Sequence, residues 1–297
     1  MSEPVTFSVV IPTHNDCEWL PRSIGSAAAQ TLAPLEILVI DDGSTDDTRA
    51  VCEAMGVANL HYHYQMNQGV SATRNRGAAL ARADYVVFLD ADDELKPEAL
   101  ATYAEVLNQE AHDWLIGSSE WERDGRTRAR KPMLPEGREA RFRAFIDKSL
   151  HLGNISNMCF ARHLFDELRF PEQHRFGEDL VVFGVLLART DPLVLDTVTA
   201  LQHRREDSLR NQASLDERAA STVPKTVFEH PLLPQGFAQY ADTYWARHSR
   251  SIMKRAYKEK QFDDVIYWYR EMIRANPTAA LNPKWAWRYL RARLGAR

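Results

Sequence analysis

Strands and helices alternate along the first hundred residues, and this alternation restricts the possible folds more than any other feature of the sequence. Four short runs have the apolar, β-branched composition of buried strands, namely 7–11, 35–40, 60–64 and 85–89. The segments between them have helical spacing, namely 18–31, 46–55 and 69–81. This repetition predicts a parallel sheet covered on both faces, with ligands bound beyond the carboxyl ends of the strands.

Length and composition exclude several classes of protein. With 297 residues, 44% of them hydrophobic and 26% charged, the chain has the make-up of a globular protein. The longest apolar run covers 85–89, far less than the roughly 18 residues of a membrane span. Residues 1–4 contain no basic or apolar stretch, so no secretory signal is expected. The three cysteines, Cys17, Cys52 and Cys159, form neither a CxxC site nor a disulfide framework, which indicates a reducing, cytoplasmic setting.

Charge is distributed unevenly along the chain. Residues 1–235 contain 24 Lys and Arg against 36 Asp and Glu, whereas residues 236–297 contain 13 Lys and Arg against 5 Asp and Glu. Residues 236–297 also have helical spacing almost throughout. We therefore expect an α/β domain over 1–235, with halves at 1–117 and 118–235, and then a basic helical region at 236–297 that either faces an anionic partner or docks on the acidic body. From about residue 120 to residue 148 the pattern weakens into a run rich in Arg and Glu, in which we expect a variable loop and a helix. A helical hairpin at 256–277 has tetratricopeptide-like spacing, but it occurs once and does not predict a solenoid.

Two acidic clusters follow strands of the expected sheet. In the run 41–46, a carboxylate can accept hydrogen bonds from a nucleotide base or ribose, or the run can simply form a turn capped by Asp46. The run 90–93 places three acids at the end of one strand, where they repel one another. A hard divalent cation that bridges to diphosphate oxygens would relieve this repulsion, and the alternative is a solvated acidic turn.

The segment 67–77 suits phosphate binding. Arg74 can pair with a phosphate or with a carboxylate of the protein, and Gly69 permits the close approach of a ligand. An amphipathic helix with two surface arginines explains the segment almost as well.

Two later segments carry residues that suit proton or phosphate chemistry. Glu178 and Asp179 open a helix, where acids suit the helix dipole, but an aspartate at the mouth of a cleft can also deprotonate a hydroxyl. In 202–208, His203 suits a metal or phosphate and Arg205 suits a phosphate, although a lone histidine is more often structural.

In this order, the motifs resemble those of the inverting glycosyltransferases of family 2. The resemblance covers about residues 5–210 and rests on ordered segments at 10–15, 39–46, 67–77, 88–93, 177–179 and, loosely, 205–209. It implies a GT-A fold, in which a Rossmann-like nucleotide-binding sheet is joined to an acceptor-binding subdomain. The expected fold class is therefore α/β, a GT-A domain with a C-terminal helical appendage.

The resemblance also implies roles for particular residues. Those that match donor-nucleotide contacts are Pro12, His14, Asn15, Asp41, Asp42, Asn67, Gly69, Arg74, Asp90 and Ala91. Those that match ligands of the metal, Mn²⁺ or Mg²⁺, are Asp92, Asp90 and His203. Asp179 matches the general base, Glu178 lies beside it, and Arg205 matches a phosphate contact.

The implied reaction is a metal-dependent single displacement that inverts the configuration of the sugar. The donor is a nucleoside-diphosphate sugar, with uridine diphosphate the commonest choice, and the acceptor is a glycan hydroxyl in surface polysaccharide or glycolipid synthesis. Two departures from the family pattern are His14, where an aromatic residue is usual, and 200–203, where a Tyr-rich strand is usual. One alternative is a non-catalytic module that binds nucleotide-sugars or glycans. The other is a nucleotidyltransferase, which normally carries a Gly-rich loop in place of residues 12–15.

The basic C-terminal segment leaves two interpretations open. Residues 285–294 mix large aromatic side chains with arginine, which suits the interface of an anionic membrane, and many family members act on lipid-linked sugars at the inner face of the cytoplasmic membrane. Alternatively, Trp285 and Trp287 pack onto the helical hairpin and leave the arginines in solvent. A nucleic-acid partner is not expected, because the body is acidic and has no recognised binding module. The expected location is the cytoplasm, with or without peripheral membrane contact.

Overall fold

The computed structural model describes residues 4–123, 126–174, 177–203 and 222–295. The strands in these residues are β1 (Phe7–Thr13), β2 (Glu36–Asp42), β3 (Leu60–Gln65), β4 (Tyr85–Phe88), β5 (Glu94–Leu95), β6 (Trp114–Arg123), β7 (Arg126–Arg130), β8 (Met158–Ala161) and β9 (Leu193–His203). The α-helices are α1 (Leu20–Ala28), α2 (Thr48–Ala54), α3 (Val70–Leu80), α4 (Ala99–Leu107), α5 (Arg138–Ile146), α6 (Glu178–Arg189), α7 (Val223–Glu229), α8 (Ala241–Lys258), α9 (Phe262–Ala275) and α10 (Pro283–Arg293).

The strands form one mixed sheet in the order β3-β2-β1-β4-β8-β6-β9-β5, and β7 pairs with β6. The pairs β1–β2, β2–β3 and β1–β4 are parallel, which confirms the parallel arrangement predicted for the first hundred residues. The chain leaves β1 toward β2 and β3 and then returns to β4 on the other side of β1. The carboxyl ends of β1, β2 and β4 therefore meet where the strand order reverses, which is the usual ligand position in open α/β sheets.

Close packing fixes helix α3 against this parallel half. Every residue of β1, β2 and β4 is buried, as expected for parallel strands covered on both faces. A Cβ atom on Gly77 of α3 would lie 2.2 Å from Cγ1 of Val10 in β1, so only glycine fits at this contact. The close contact holds α3 near the end of the sheet where the polar loops begin.

The segment 120–148 differs from its expected structure. A variable loop followed by a helix was predicted there; the helix is present as α5, but residues up to Arg130 form the hairpin of β6 and β7. The prediction of a loop in this part is therefore wrong. The strand could not be recognised from the sequence because all five residues of β7 are exposed. An exposed strand carries no alternation of apolar and polar side chains, so its sequence gives no strand signal.

The chain divides into two compact units. One comprises residues 1–135, 150–182 and 190–206, and the other comprises 136–149, 183–189 and 207–297. The first unit contains the sheet and an apolar core on α1, α4 and the strands. The second contains a separate core on α8, α9 and α10, which includes Met253, Trp268 and Trp285. None of the described helices is both long enough and apolar enough to cross a membrane.

Candidate functional site

The loops after β1 and β3 are joined through the ring of His14. Its Nδ1 lies 2.8 Å from the backbone carbonyl oxygen of Asp42, so Nδ1 carries the ring proton and donates a hydrogen bond to that oxygen. Nε2 is then an acceptor, 3.1 Å from Nδ2 of Asn15 and 3.3 Å from Nδ2 of Asn67. His14, Asn15 and Asn67 are exposed, and they form a polar rim at the end of the parallel sheet.

Asp42 shapes the loop that leads into α3. Its carboxylate is buried and accepts hydrogen bonds from Nε2 of Gln65 at 2.7 Å and from the backbone N–H groups of Gln68 at 2.9 Å and Gly69 at 2.7 Å. Gly69 precedes the first residue of α3 with φ at +93°, a conformation that favours glycine. These contacts make Asp42 a positioning residue for the loop.

Asp41 lies at the carboxyl end of β2, in register with Thr13 of β1. Its buried carboxylate accepts a 2.5 Å hydrogen bond from the hydroxyl of Tyr62 and a 2.8 Å bond from the backbone N–H of Ser44. The pKa of Tyr62 is raised, mainly by burial and secondly by the hydrogen bond to Asp41, so the proton of this bond stays on the phenol oxygen. Asp41 is therefore held in one orientation beside the polar rim.

Arg74 of α3 joins two carboxylates that come from different parts of the chain. Its guanidinium donates to Oδ1 of Asp90 at 2.7 Å and to Oε1 of Glu178 at 2.6 Å, and it lies 5.6 Å above the ring of Phe170. The neighbouring Asn75 exchanges two hydrogen bonds with the backbone of Phe170, at 2.9 and 2.8 Å. Burial disfavours the positive charge, but the two carboxylates outweigh it and raise the pKa of Arg74.

Asp179 lies at the start of α6 beside this cluster. The pKa of Asp179 is raised to about 7, mainly by burial and secondly by the negative charge of Glu178. The positive charge of Arg74 acts in the opposite direction and is outweighed. A carboxylate whose pKa lies near neutral pH suits general base catalysis.

Asp93 anchors the acidic loop that follows β4. Its buried carboxylate accepts hydrogen bonds from Nδ2 of Asn154 at 2.6 Å, from Oγ of Ser156 at 2.7 Å and from the backbone N–H of His203 at 3.2 Å. Burial, and then the neighbouring charge of Asp90, raise the pKa of Asp93 well above its usual range. Asp93 thus ties the loop to residues 61, 63 and 110 positions further along the chain.

The residues that match metal ligands do not form a complete coordination shell by themselves. Asp92 is partly buried, and the side chain of Asp90 on the same loop is 28% exposed. Nε2 of His203 lies 2.7 Å from Glu94 and its Nδ1 lies 3.5 Å from Glu122. Within the described parts of the chain, no three His, Cys, Asp or Glu side chains are grouped so that they could hold a metal ion.

The remaining candidate residues lie at the edge of these clusters or outside the structure. Pro12 is buried in β1 and Ala91 is buried in the loop after β4, so each contributes mainly backbone to the site. Arg205 lies outside the described residues. Sequence reasoning gave no role to Asp93 and did not find its partner Asn154; the only signal for Asp93 was its place in the acidic run.

The chain belongs to the family described as glycosyl transferase family 2, whose model matches residues 8–169. That match covers β1 to β4, α3 and the acidic loop, so it includes most of the clusters described above. The family assignment and the GT-A fold expected from the sequence are confirmed.

Individual relatives and structures agree with this assignment. The succinoglycan biosynthesis protein ExoO of Rhizobium meliloti is 27% identical over 79% of this chain and 70% of its own length. The GalNAc(5)-diNAcBac-PP-undecaprenol beta-1,3-glucosyltransferase of Campylobacter jejuni is 35% identical over 40% of this chain and 39% of its own length. The structure of residues 1–349 of S. aureus TarS in complex with UDP-GlcNAc matches with a TM-score of 0.69 and 21% identity, over 98% of this chain and 88% of that one. Several other curated relatives are matched over only 32–40% of their own length.

Proposed function

We propose that this family 2 glycosyltransferase moves a sugar from a uridine-diphosphate sugar to a hydroxyl group of a glycan acceptor, with inversion at the anomeric carbon. The observation that carries the proposal is the cluster in which Arg74 pairs with Asp90 and Glu178, beside Asp179 with its raised pKa. It combines a cation that can face a leaving diphosphate with a carboxylate that can accept a proton.

In the proposed reaction, the acceptor oxygen bonds to the anomeric carbon as the bond from that carbon to the diphosphate breaks. The diphosphate leaves with the electron pair, and the carboxylate of Asp179 takes the proton of the acceptor hydroxyl. Arg74 stabilises the charge that develops on the diphosphate, an effect typically worth on the order of 3–4 kcal/mol for one donor. Glu178 holds Arg74 in place and raises the pKa of Asp179.

Asp90 and Asp92 suit a hard divalent cation, Mn²⁺ or Mg²⁺. Such cations prefer oxygen ligands and are commonly held by one or two carboxylates together with substrate phosphates. This preference agrees with an acidic loop that does not by itself supply three ligands. Bound there, the cation would neutralise charge on the diphosphate. His203 is left out of the proposed ligands because its ring nitrogens face Glu94 and Glu122.

The donor and the acceptor are proposed from the relatives together with the site. TarS, which shares the fold, is known with UDP-GlcNAc bound, and this supports a uridine nucleotide. The names of ExoO and of the Campylobacter enzyme refer to succinoglycan and to an undecaprenol-linked glycan. We therefore propose an acceptor in surface polysaccharide or lipid-linked glycan synthesis.

The energetics of the cluster favour an enzyme over a non-catalytic binding module. A carboxylate with a raised pKa lowers the stability of the folded protein at neutral pH, because folding holds its charge in an unfavourable place. Binding a nucleotide or a glycan does not require a base at this position. Proton transfer from an acceptor hydroxyl does require one.

Calorimetric titration of UDP into the protein, with and without Mn²⁺, tests the donor site. We expect one UDP per chain, tighter binding with Mn²⁺ than without it, and weaker binding of GDP and ADP. Asp92→Ala should abolish the effect of Mn²⁺, whereas Asp166→Ala, an exposed carboxylate on another segment, should leave it unchanged. A folded protein that binds none of these nucleotides would contradict the proposal.

A further inference from the structure

Helix α10 has a second apolar face that is largely exposed, although the ring of Trp287 on it lies 6.2 Å from the ring of Tyr257. Its inner face packs within the second unit, where Trp285 is buried and Tyr289 stacks on Tyr269 with ring centroids 4.5 Å apart. On the outer face, Trp287 and Leu290 are 52% and 56% exposed, and Leu294 just beyond the helix is 83% exposed. The spacings of three and four residues place these three side chains on one side of the helix. Side chains that are this exposed contribute little buried apolar area to folding.

A basic groove borders this outer face. It has a volume of 670 Å³, and the cations that line it are Lys254, Lys258, Lys260, Arg288 and Arg291. Within the described residues, none of the five has a carboxylate within 4 Å. Like charges gathered without ion-pair partners repel one another, and an anion bound among them would relieve this repulsion.

Arg288 is held ready for such an anion. Its guanidinium lies 5.1 Å from the ring centroids of both Tyr257 and Trp285. Its buried Nη1 has no hydrogen-bond partner in the structure. A buried donor of this kind is destabilising unless an acceptor reaches it. The ammonium group of Lys254 lies 5.0 Å from the ring centroid of Trp285. The pKa of Lys254 is lowered, mainly by burial and then by the positive charges of Arg250 and Arg288.

We propose that this face of α10 and the adjoining groove bind the surface of an anionic phospholipid membrane. The groove receives head-group phosphate, and Trp287, Leu290 and Leu294 lie in the boundary between head groups and acyl chains. Charge complementarity supports this occupant, because a second copy docked through the same face would bring its own cations against those of the first. The proposal does not depend on the reaction proposed above.

Co-sedimentation with lipid vesicles tests the proposal on the full chain. We expect the protein to pellet with vesicles of 30% phosphatidylglycerol and 70% phosphatidylcholine in 0.1 M NaCl, and to remain in the supernatant with pure phosphatidylcholine. Raising NaCl to 0.5 M should release most of the bound protein, because surface charges are then screened over a few ångströms. UDP binding, measured on the same samples, reports separately on the donor site.

Variants distinguish the two parts of the surface. Arg291→Gln and Lys258→Gln should each weaken binding to the anionic vesicles about fivefold, the effect of one cation near such a surface. The matched controls Arg49→Gln and Lys225→Gln remove exposed cations elsewhere and should change binding less than twofold. Trp287→Ser combined with Leu290→Ser should weaken binding at least tenfold, whereas Met133→Ser, at a side chain even more exposed in the other unit, should not.

Lys260 offers a variant that cannot act through loss of stability. It follows α8 with φ at +60°, a conformation that suits glycine better than lysine. Lys260→Gly should therefore leave the thermal midpoint unchanged or raised, yet weaken vesicle binding. Equal binding to neutral and anionic vesicles, or no binding to either, would overturn the proposal. So would a stable dimer that loses its association in the Trp287→Ser, Leu290→Ser variant.

Discussion

At the scale of single residues, the candidate site depends on carboxylates that have different environments. Asp41 and Asp42 accept hydrogen bonds that fix them in place, whereas Asp179 is held where its charge is unfavourable. Asp93 is also buried and its pKa is also raised, but three donors hold its carboxyl group in place as an anchor for the loop. Side chains of one type therefore serve either to hold loops or to move a proton, according to their neighbours.

Asp179→Asn should lower kcat by about 10²–10⁴-fold and leave UDP affinity within about twofold, because an amide cannot accept the acceptor's proton. In the wild type, kcat/KM should fall about tenfold per pH unit below pH 7, as Asp179 becomes protonated. Steady-state rates at several pH values, together with UDP titration, measure both effects. Asp166→Asn is the matched control and should leave both the rate and its pH profile unchanged. Near-normal turnover in Asp179→Asn would remove the assignment of the base.

The same raised pKa predicts how stability depends on pH. Since the pKa of Asp179 rises from about 3.8 when unfolded to about 7 when folded, the folded chain binds this proton more tightly. This contribution to stability is present below about pH 4 and is lost as the pH rises through 7. Asp179→Asn should therefore raise Tm relative to the wild type at pH 8, and the difference should shrink at pH 5. Thermal denaturation without nucleotide measures it; a difference that does not vary with pH would argue against the shift.

Arg74→Met should destabilise the protein by about 3 kcal/mol, because it leaves the carboxylates of Asp90 and Glu178 without their counter-charge. Adding Glu178→Gln to this variant should recover part of the loss, since one of the two stranded charges is then removed. Urea denaturation measures both. The control Arg49→Met, in an exposed pair with Glu53, should cost less than about 1 kcal/mol. Equal losses in the two arginine variants would show that burial of the pair has no special effect.

The sequence identified much of the candidate site because the relevant residues directly follow recognisable strands. Asp41, Asp90 and Asp92 could be selected in this way. The anchoring role of Asp93 could not, because its partners Asn154 and His203 come from distant parts of the chain and have no motif of their own. Which carboxylate holds a loop is decided by tertiary contacts.

At the scale of elements, the packing of α3 on β1 controls where Arg74 lies. Gly77→Ala should destabilise the protein by about 1–3 kcal/mol, although alanine favours helices, because the added Cβ meets Val10 at 2.2 Å. Gly25→Ala in α1 is the matched control: nothing lies within 4 Å of its Cβ position, so it should be neutral or stabilising. Urea denaturation compares the two. A second change, Val10→Ala, should partly rescue Gly77→Ala, and failure to do so would place the clash elsewhere.

The elements divide into those that local sequence predicts and those that it does not. Strands β1, β2 and β4 were predictable because they are apolar throughout and end at polar turns. The β6–β7 hairpin was missed, since β7 is fully exposed and β6 pairs with β8 and β9 from later in the chain. Those pairings depend on distant partners.

At the scale of the whole molecule, the chain has two compact units, and the second includes α5 from the middle of the sequence. Phe142 of α5 packs against Phe237 and Tyr240, and Phe145 packs against Tyr244. A chain that ends at residue 235, the boundary expected from the sequence, has lost these three partners. We expect it to bind more 8-anilinonaphthalene-1-sulfonate than the full chain and to unfold at lower urea. A truncated chain with an unchanged urea midpoint would contradict this expectation.

The anchors Asp42 and Asp93 also determine when the loops around the candidate site lose their conformational freedom. Each buried carboxylate gathers three hydrogen bonds from the protein itself, so both loops are ordered before any donor arrives. The entropy of ordering these loops is then lost during folding, and it does not oppose the arrival of the nucleotide. Discrimination between donors must accordingly come from the fit of the nucleotide to fixed walls, because little adjustment of those walls is left to make.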